Sequence, residues 1–270
     1  MATILLGDCI EKMKTFPDKS IDLIICDLPF GCLVGGGGKE KMKRTDDNIK
    51  NFKMGSCMLN CSWDIKIDLE VFWKEVKRIR KNEHTPTIQF CTTKYGFDLY
   101  NSNPKEFRYD LVWDKQRGVS FLTANKMPMR SHEMMYVFSK AGAYYNRIDN
   151  DDVTKKAQSE NITKPRSANI YANNKLTRSL GAPEGKRCVL SVIQQKKVGT
   201  FKDGHPTEKP IELYKFLIER YSKPGDTVLD PTFGSMNSGL AAIELGRKYI
   251  GIEMNKGFFD KGTKKLISTL

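Results

Sequence analysis

The sequence predicts an α/β fold, with helices on both faces of a mostly parallel sheet. Three observations carry that expectation. The apolar runs Thr3–Leu6, Ile21–Cys26, Thr227–Leu229 and Lys248–Ile252 are short and continuous, as strands buried on both sides are. Both ends of the chain read strand, helix, strand, and the C-terminal example is a βαβ unit. Each of the four runs gives out at or next to an acid: Asp8, Asp27, Asp230 or Glu253.

The elements follow in order. Thr3–Leu6 stops at Gly7-Asp8, Cys9–Lys14 is a short helix, and Pro17-Asp18 breaks it. Ile21–Cys26 is the second strand and ends in Asp27-Leu28-Pro29-Phe30-Gly31. Residues 33–62 change character: Gly35–Gly38, then Lys39, Lys41, Lys43 and Arg44, predict a mobile basic loop. Leu69–Arg80 is amphipathic, with Phe72, Val76 and Ile79 on one face, and reads as a helix. Thr87–Cys91, Tyr109–Trp113 and Glu133–Phe138 read as strands, with a polar, basic stretch over Lys115–Arg130. Periodicity is weak over 140–200, and within 151–200 ten basic residues face four acidic ones. Order returns with the helix Ile211–Tyr221 and the turn Lys223-Pro224-Gly225-Asp226. The strand Thr227–Leu229, a turn over Asp230–Asn237, the helix Ser238–Leu245 and the strand Lys248–Ile252 complete the βαβ unit.

Composition bounds the function. A chain of 270 residues suits one large domain, or one domain with an insert. Charged residues at 29% and hydrophobic ones at 39% argue against wholesale disorder. No apolar run reaches the ~20 residues of a membrane span, and the N-terminus lacks the basic and apolar regions of a secretory signal. Seven cysteines without a CxxC spacing fit reduced thiols in a cytosolic protein better than a disulfide scaffold or a zinc ribbon. His84, His132 and His205 show no i,i+4 pairing, so no metal site is expected. A net charge of +13 and a pI near 9.3 point to a polyanionic partner, nucleic acid first, with a lysine-rich surface serving solubility as an equal alternative on charge alone.

The four acids point to one crevice, because ligands of open α/β sheets sit beyond the carboxyl ends of the strands. In the C-terminal unit, a turn containing Gly234 opens a helix and Glu253 stands 19 residues later. That spacing suits a nucleoside: the turn admits the ligand to the backbone and the acid chelates two ribose hydroxyls. No full GxGxxG is present, so a ligand with one nucleoside and no phosphates fits better than a dinucleotide. In Asp27-Leu28-Pro29-Phe30 a carboxylate can accept a hydrogen bond from an amino group, and the proline fixes a carbonyl to accept another. The ring can stack on a planar base. The competing reading of that tetrapeptide is a strand end, a turn and a core phenylalanine.

In order along the chain, the motifs are Gly7-Asp8-Cys9, Asp27-Leu28-Pro29-Phe30, Cys61-Ser62-Trp63-Asp64, Trp113-Asp114-Lys115, His205-Pro206-Thr207-Glu208-Lys209-Pro210, Val228-Leu229-Asp230-Pro231 and Gly251-Ile252-Glu253. This series resembles that of DNA amino-methyltransferases acting on adenine N6 or cytosine N4. It is most similar to the small stand-alone adenine-specific enzymes common in phages and mobile elements. The resemblance covers about residues 3–138 and 205–258, and it keeps both order and spacing. The tetrapeptide precedes the cofactor loop, as in the permuted beta group of the family.

The resemblance implies an S-adenosylmethionine-dependent methyltransferase fold, a Rossmann-like, mostly parallel seven-stranded sheet. It implies a single methyltransferase domain over 1–270, with 140–200 as a target-recognition insert aided by the loop 33–62. Asp27, Leu28, Pro29 and Phe30 would hold the target adenine. Asp8 and Cys9 would contact the adenine of S-adenosylmethionine, and Glu253 its ribose. Asp230, Phe233, Gly234 and Ser235 would surround the methionine part, with Thr207 and Lys209 near its carboxylate. Lys39, Lys43, Arg44, Lys115, Arg117 and Arg130 would bind phosphates of double-stranded DNA. A homodimer is implied by analogy only, and the expected setting is the cytoplasm of a bacterial or phage-infected cell, in a role such as restriction-modification.

Two positions depart from the family pattern. The tetrapeptide is usually Asp-Pro-Pro-Tyr, but Leu28 should contribute mainly its carbonyl and Phe30 keeps the stacking ring. Met236 stands where a second glycine is usual. Either the loop turns that side chain away or cofactor binding is weakened. Three alternatives stand beside the adenine reading: a cytosine N4 methyltransferase, a non-catalytic DNA-binding protein with an impaired cofactor site, and a methyltransferase for glutamine in proteins. Asp at position 27, where serine is frequent in cytosine enzymes, favours adenine.

Overall fold

Buried apolar runs become the central strands of one sheet. The computed structural model describes residues 1–31, 64–119, 121, 124–151, 185–198 and 207–269. In chain order the elements are β1 (Ala2–Leu6), α1 (Cys9–Lys14), β2 (Leu23–Cys26), α2 (Leu69–Ile79), β3 (Thr87–Cys91), α3 (Thr93–Ser102), β4 (Phe107–Val119) and β5 (Arg130–Phe138). They continue with β6 (Asn150–Asp151), β7 (Lys186–Arg187), β8 (Val192–Gln194), α4 (Ile211–Tyr221), β9 (Thr227–Asp230), α5 (Asn237–Glu244), β10 (Lys248–Glu253) and α6 (Lys256–Thr269).

The chain divides into two compact units, Met1–Tyr145 with Val192–Leu270, and Asn146–Ser191. The larger unit holds a sheet in the order β1-β10-β9-β2-β3-β5-β4-β8. Of its described strands only β5 runs against its neighbours, so the mostly parallel α/β expectation holds. The sheet has eight strands rather than seven, because the short β8 pairs with Val112–Asp114 at the edge. The smaller unit falls inside the 140–200 stretch, and its described part is an antiparallel ribbon pairing Asn150 with Arg187 and Asp151 with Lys186.

Alternation along the buried strands builds the two helical layers. Leu23 and Ile25 of β2 pack with Leu213 and Leu217 of α4 and Leu240 of α5. Their neighbours Ile24 and Cys26 face the other way, into a cluster with Phe72 and Val76 of α2 and Leu99 of α3. Asp68 starts α2 by accepting from the amides of Glu70 (2.9 Å) and Val71 (3.3 Å).

Two elements escape the periodicity. The helix α3 contains Gly96 and polar residues, and it forms because Thr92 caps it and Tyr95 and Leu99 are buried. The stretch Lys115–Arg130 is no featureless loop at its ends, since β4 extends through Val119 and β5 begins at Arg130. Lys115 is tolerated there because Glu133 on the facing strand pairs with it.

The connections set where a ligand can sit. From β2 the chain crosses by α2 to β3 on one side, while β9 crosses by α5 to β10 on the other. The two crossing helices lie in opposite layers, so β2 and β9 flank the switch point of the sheet, where open α/β folds form their crevice.

Candidate active site

Beyond the carboxyl ends of β1, β2, β9 and β10 lies a cleft of about 450 Å³, within the usual size of small-molecule sites. The register that pairs Leu23 with Val228 and Ile24 with Leu229 brings the Asp27 loop beside the Asp230 loop, although they are far apart in sequence. Gly7 (φ +140°) turns β1 toward α1, and its amide donates to the Glu253 carbonyl at 3.0 Å. Asp8 then caps α1 by accepting from the Glu11 amide at 3.0 Å. Asp27 and Glu253 therefore line one cleft, together with Asp8, Cys9, Pro29 and Phe30.

The charge of this cleft opposes that of the chain. Its described lining includes seven acidic side chains and two lysines, whereas the whole chain carries +13. Such walls favour a cation inside and a polyanion outside. Burial pushes the Glu253 carboxyl above its ordinary range, against the hydrogen bonds it accepts from the amides of Asn255 (2.7 Å) and Gly234 (3.1 Å). Burial likewise raises the Cys9 thiol to about 12, so it is a neutral packing and contact group rather than a nucleophile.

At the tetrapeptide, the Leu28 side chain is buried in the core with Cys26 and Phe72. Phe30 lies over Tyr95 with ring centroids 5.0 Å apart and borders the cleft. Asp64 is buried and accepts from the Gly31 amide at 3.0 Å, closing the turn after Phe30. Its neighbours Cys61, Ser62 and Trp63 lie outside the described residues, as do Lys39, Lys43, Arg44, His205 and Pro206.

The Asp27 carboxylate is partnered. Lys209 Nζ sits 2.6 Å from Asp27 Oδ2 and 3.3 Å from Glu133 Oε2, and Lys115 pairs with Glu133 from the other side. Burial raises the Asp27 carboxyl, Lys209 lowers it and Glu133 raises it again, for a net rise. Burial opposes the charge of Lys209, yet Asp27 and Glu133 outweigh it and hold the ammonium above its ordinary value. Glu133, despite its burial, is drawn down to about 2 by Lys209 and Lys115. Lys209, expected beside a cofactor carboxylate, thus stands on Asp27. Lys115, expected on phosphates, is buried at 4% exposure and is committed to Glu133. Arg117 is exposed, and Arg130 donates to Thr93 Oγ1 at 3.0 Å.

The loop after β9 also differs from expectation in one residue. Thr207, Phe233, Gly234 and Ser235 border the cleft. Asp230 does not. It is buried and turned into its own loop, accepting from the Thr232 amide at 3.0 Å and from Ser238 Oγ at 2.6 Å. Burial raises its carboxyl to about 7. Its work is to tie the turn to the start of α5.

Met236 resolves the open question about the loop. It adopts the left-handed conformation (φ 68°, ψ 8°), which explains why glycine suits the position. Its side chain is fully buried and turned from the cleft into the core. Room comes from two glycines: a Cβ at Gly239 would lie 2.6 Å from Met236 Sδ, and one at Gly262 would lie 3.4 Å from Met236 Cβ. Met236→Gly should therefore lower stability. Loss of the buried side chain costs roughly 2–5 kcal/mol and relief of the backbone returns about 1 kcal/mol. Denaturant unfolding checks this, with ligand affinity unchanged; a stabilised variant would show that strain outweighs packing.

Sequence reasoning passed over Glu133. The available signal was an acid and a histidine at the start of an otherwise apolar strand, opposite a lysine-bearing one.

Comparison with known proteins agrees with this geometry. A family model described as DNA methylase matches residues 21–264. The chain is 30% identical over 279 residues to the type II methyltransferase M.HinfI of Haemophilus influenzae, covering 98% of this chain and 68% of that protein. It is 28% identical over 267 residues to the DNA adenine methyltransferase YhdJ of Escherichia coli K12, covering 98% and 82%. Among solved structures, the M1.HpyAVI–SAM complex superposes with a TM-score of 0.59 at 20% identity, over 98% of this chain and 99% of that one. The cytosine-N4-specific PvuII DNA methyltransferase superposes with a TM-score of 0.61 at 17% identity, over 99% and 90%. These structures share the fold.

Proposed function

This chain belongs to the N6/N4 DNA methylase family, and we propose that it transfers a methyl group from S-adenosylmethionine to the exocyclic N6 of adenine in DNA. The observation that carries the proposal is the single acid-lined cleft joining Asp27 to Glu253 in a strongly basic chain. The donor set fits the cofactor. An acid at the end of β10 suits ribose hydroxyls, acidic walls suit a sulfonium, and the buried Met236 leaves the loop face open. Glu253, Asp8 and Cys9 would hold the nucleoside, and Phe233, Gly234, Ser235 and Thr207 the remainder.

When bound, S-adenosylmethionine supplies an electrophilic methyl on a positively charged sulfur. The chain's own residues prepare the nucleophile. An aromatic amine is poorly nucleophilic because its lone pair is shared with the ring. Asp27 accepts from one amine proton and the Leu28 carbonyl from the other, which makes the nitrogen more tetrahedral and electron-rich. As the amine nitrogen takes the methyl it would gain positive charge, which the Asp27 carboxylate beside it would stabilise. The surplus amine proton leaves by way of Asp27 to water. Pro29 holds the turn, and Phe30, backed by Tyr95, receives the extruded base.

The substrate on this reading is double-stranded DNA, and a homodimer is compatible with it. Arg117 and Arg130 would contact phosphates, and the 140–200 stretch, which contains the smaller unit, would read the target. Among the described residues no helix is long and apolar enough to cross a membrane. The proposed setting is a bacterial cytoplasm.

Adenine is favoured over cytosine by the acid at position 27 and by the 28% identity, over 98% of this chain, to a DNA adenine methyltransferase. Duplex DNA incubated with the protein and S-adenosylmethionine, digested to nucleosides and weighed by mass spectrometry, should contain N6-methyladenine. N4-methylcytosine in its place would overturn the base assignment, and unmodified DNA the activity.

A further inference from the structure

We propose that Glu133 is a positioning residue for this transfer, sharing Lys209 with Asp27 so that the catalytic carboxylate remains a strong hydrogen-bond acceptor. The inference rests on the methyltransferase reading and deepens it.

Four charged side chains from four parts of the chain alternate in sign: Lys115 of β4, Glu133 of β5, Lys209 before α4 and Asp27 after β2. Lys209 and Lys115 are 3% and 4% exposed, so water screens neither ammonium well. A whole buried cluster of ion pairs adds little net stability over well-packed apolar residues, so stability alone is a poor reason for building this one. The position of Glu133 has a chemical consequence. Lys209 Nζ touches Asp27 Oδ2 at 2.6 Å. With no second anion, its whole charge would fall on the carboxylate that must accept the target amine. Glu133, 3.3 Å from the same Nζ, draws off part of that charge and also neutralises Lys115.

The other groups facing the cluster leave this balance intact. Burial holds Tyr214 of α4, Cys91 of β3 and Tyr95 of α3 in their neutral forms. Asp230 of β9 is hydrogen-bonded within its own loop. Lys197 beyond β8 adds a positive charge that burial, then Lys115, disfavours and that Glu133 supports, with Lys209 and Arg117 also acting on it. Glu133 is therefore the anion in contact with both lysines.

The test is single-turnover methylation of duplex DNA by the full chain, from about pH 5 to about pH 9, with cofactor affinity measured alongside. Glu133→Gln should slow transfer roughly tenfold at neutral pH and move the acid limb of the profile down by about one unit, because Asp27 becomes less basic. Lys209→Gln should move the limb the opposite way, and Glu133→Asp should restore both rate and limb toward wild type. A purely structural role would lower the amount of folded protein without moving the limb. If Glu133→Gln does not fold, Lys209→Gln decides: a wild-type limb there shows that Lys209 does not bear on Asp27 and overturns the inference. An active wild type whose limb is unmoved by Glu133→Gln overturns this inference alone. An inactive wild type overturns the functional reading and the inference with it.

Discussion

Asp27→Ala abolishes methylation while leaving S-adenosylmethionine bound. Single-turnover transfer should fall by about 10³-fold or more, because the variant loses both the acceptor of the amine proton and the charge that stabilises the developing cation. The residues proposed for the cofactor stand on other elements, at the ends of β1, β9 and β10. Affinity by calorimetry should therefore stay within about threefold of wild type, as expected for sites that share no partner. Removing Asp27 also leaves Lys209 with Glu133 as its counterion. Asp27→Asn separates the two contributions: it keeps an oxygen acceptor, loses the charge, and should retain a small residual rate. A wild-type rate in Asp27→Ala would sink the assignment of the tetrapeptide.

Glu253→Ala weakens cofactor binding by roughly 10–100-fold, the scale of losing charge-assisted hydrogen bonds in a partly buried site. Two effects combine. The carboxylate offers further lone pairs to ribose hydroxyls beyond those engaged by Gly234 and Asn255. Its loss also frees the Gly234 amide, which the carboxylate tethers at 3.1 Å. At saturating cofactor the transfer rate should change much less than the affinity, because Asp27 and its neighbours are untouched. Unchanged affinity by calorimetry would refute the ribose role.

These two residues were legible in the sequence because the signal is local. A short apolar run that stops at an acid declares a buried strand and its exposed end, whatever the rest of the chain does. The elements Cys9–Lys14, Thr87–Cys91 and Ile211–Tyr221 were readable for the same reason, each carrying its own apolar pattern and punctuation. The helix over Thr93–Ser102 and the extension of β4 through Val119 were not, since their residues favour those states only against neighbours supplied by the fold.

The site divides along the same line. Strand ends, their order and the acids upon them are properties of short segments, so the α/β class, the crevice and its main carboxylates follow from residue order. The destination of a side chain is different, because it depends on what the folded chain brings opposite it. Lys209 meets Asp27 across 182 positions of sequence. Lys115 finds Glu133 across a hairpin instead of a phosphate, Asp230 turns into its own loop, and Met236 buries itself against the distant Gly262 as well as the nearby Gly239. A buried charge must find its counterion, and a left-handed backbone its packing, wherever the fold places them, so only the folded chain decides these pairings.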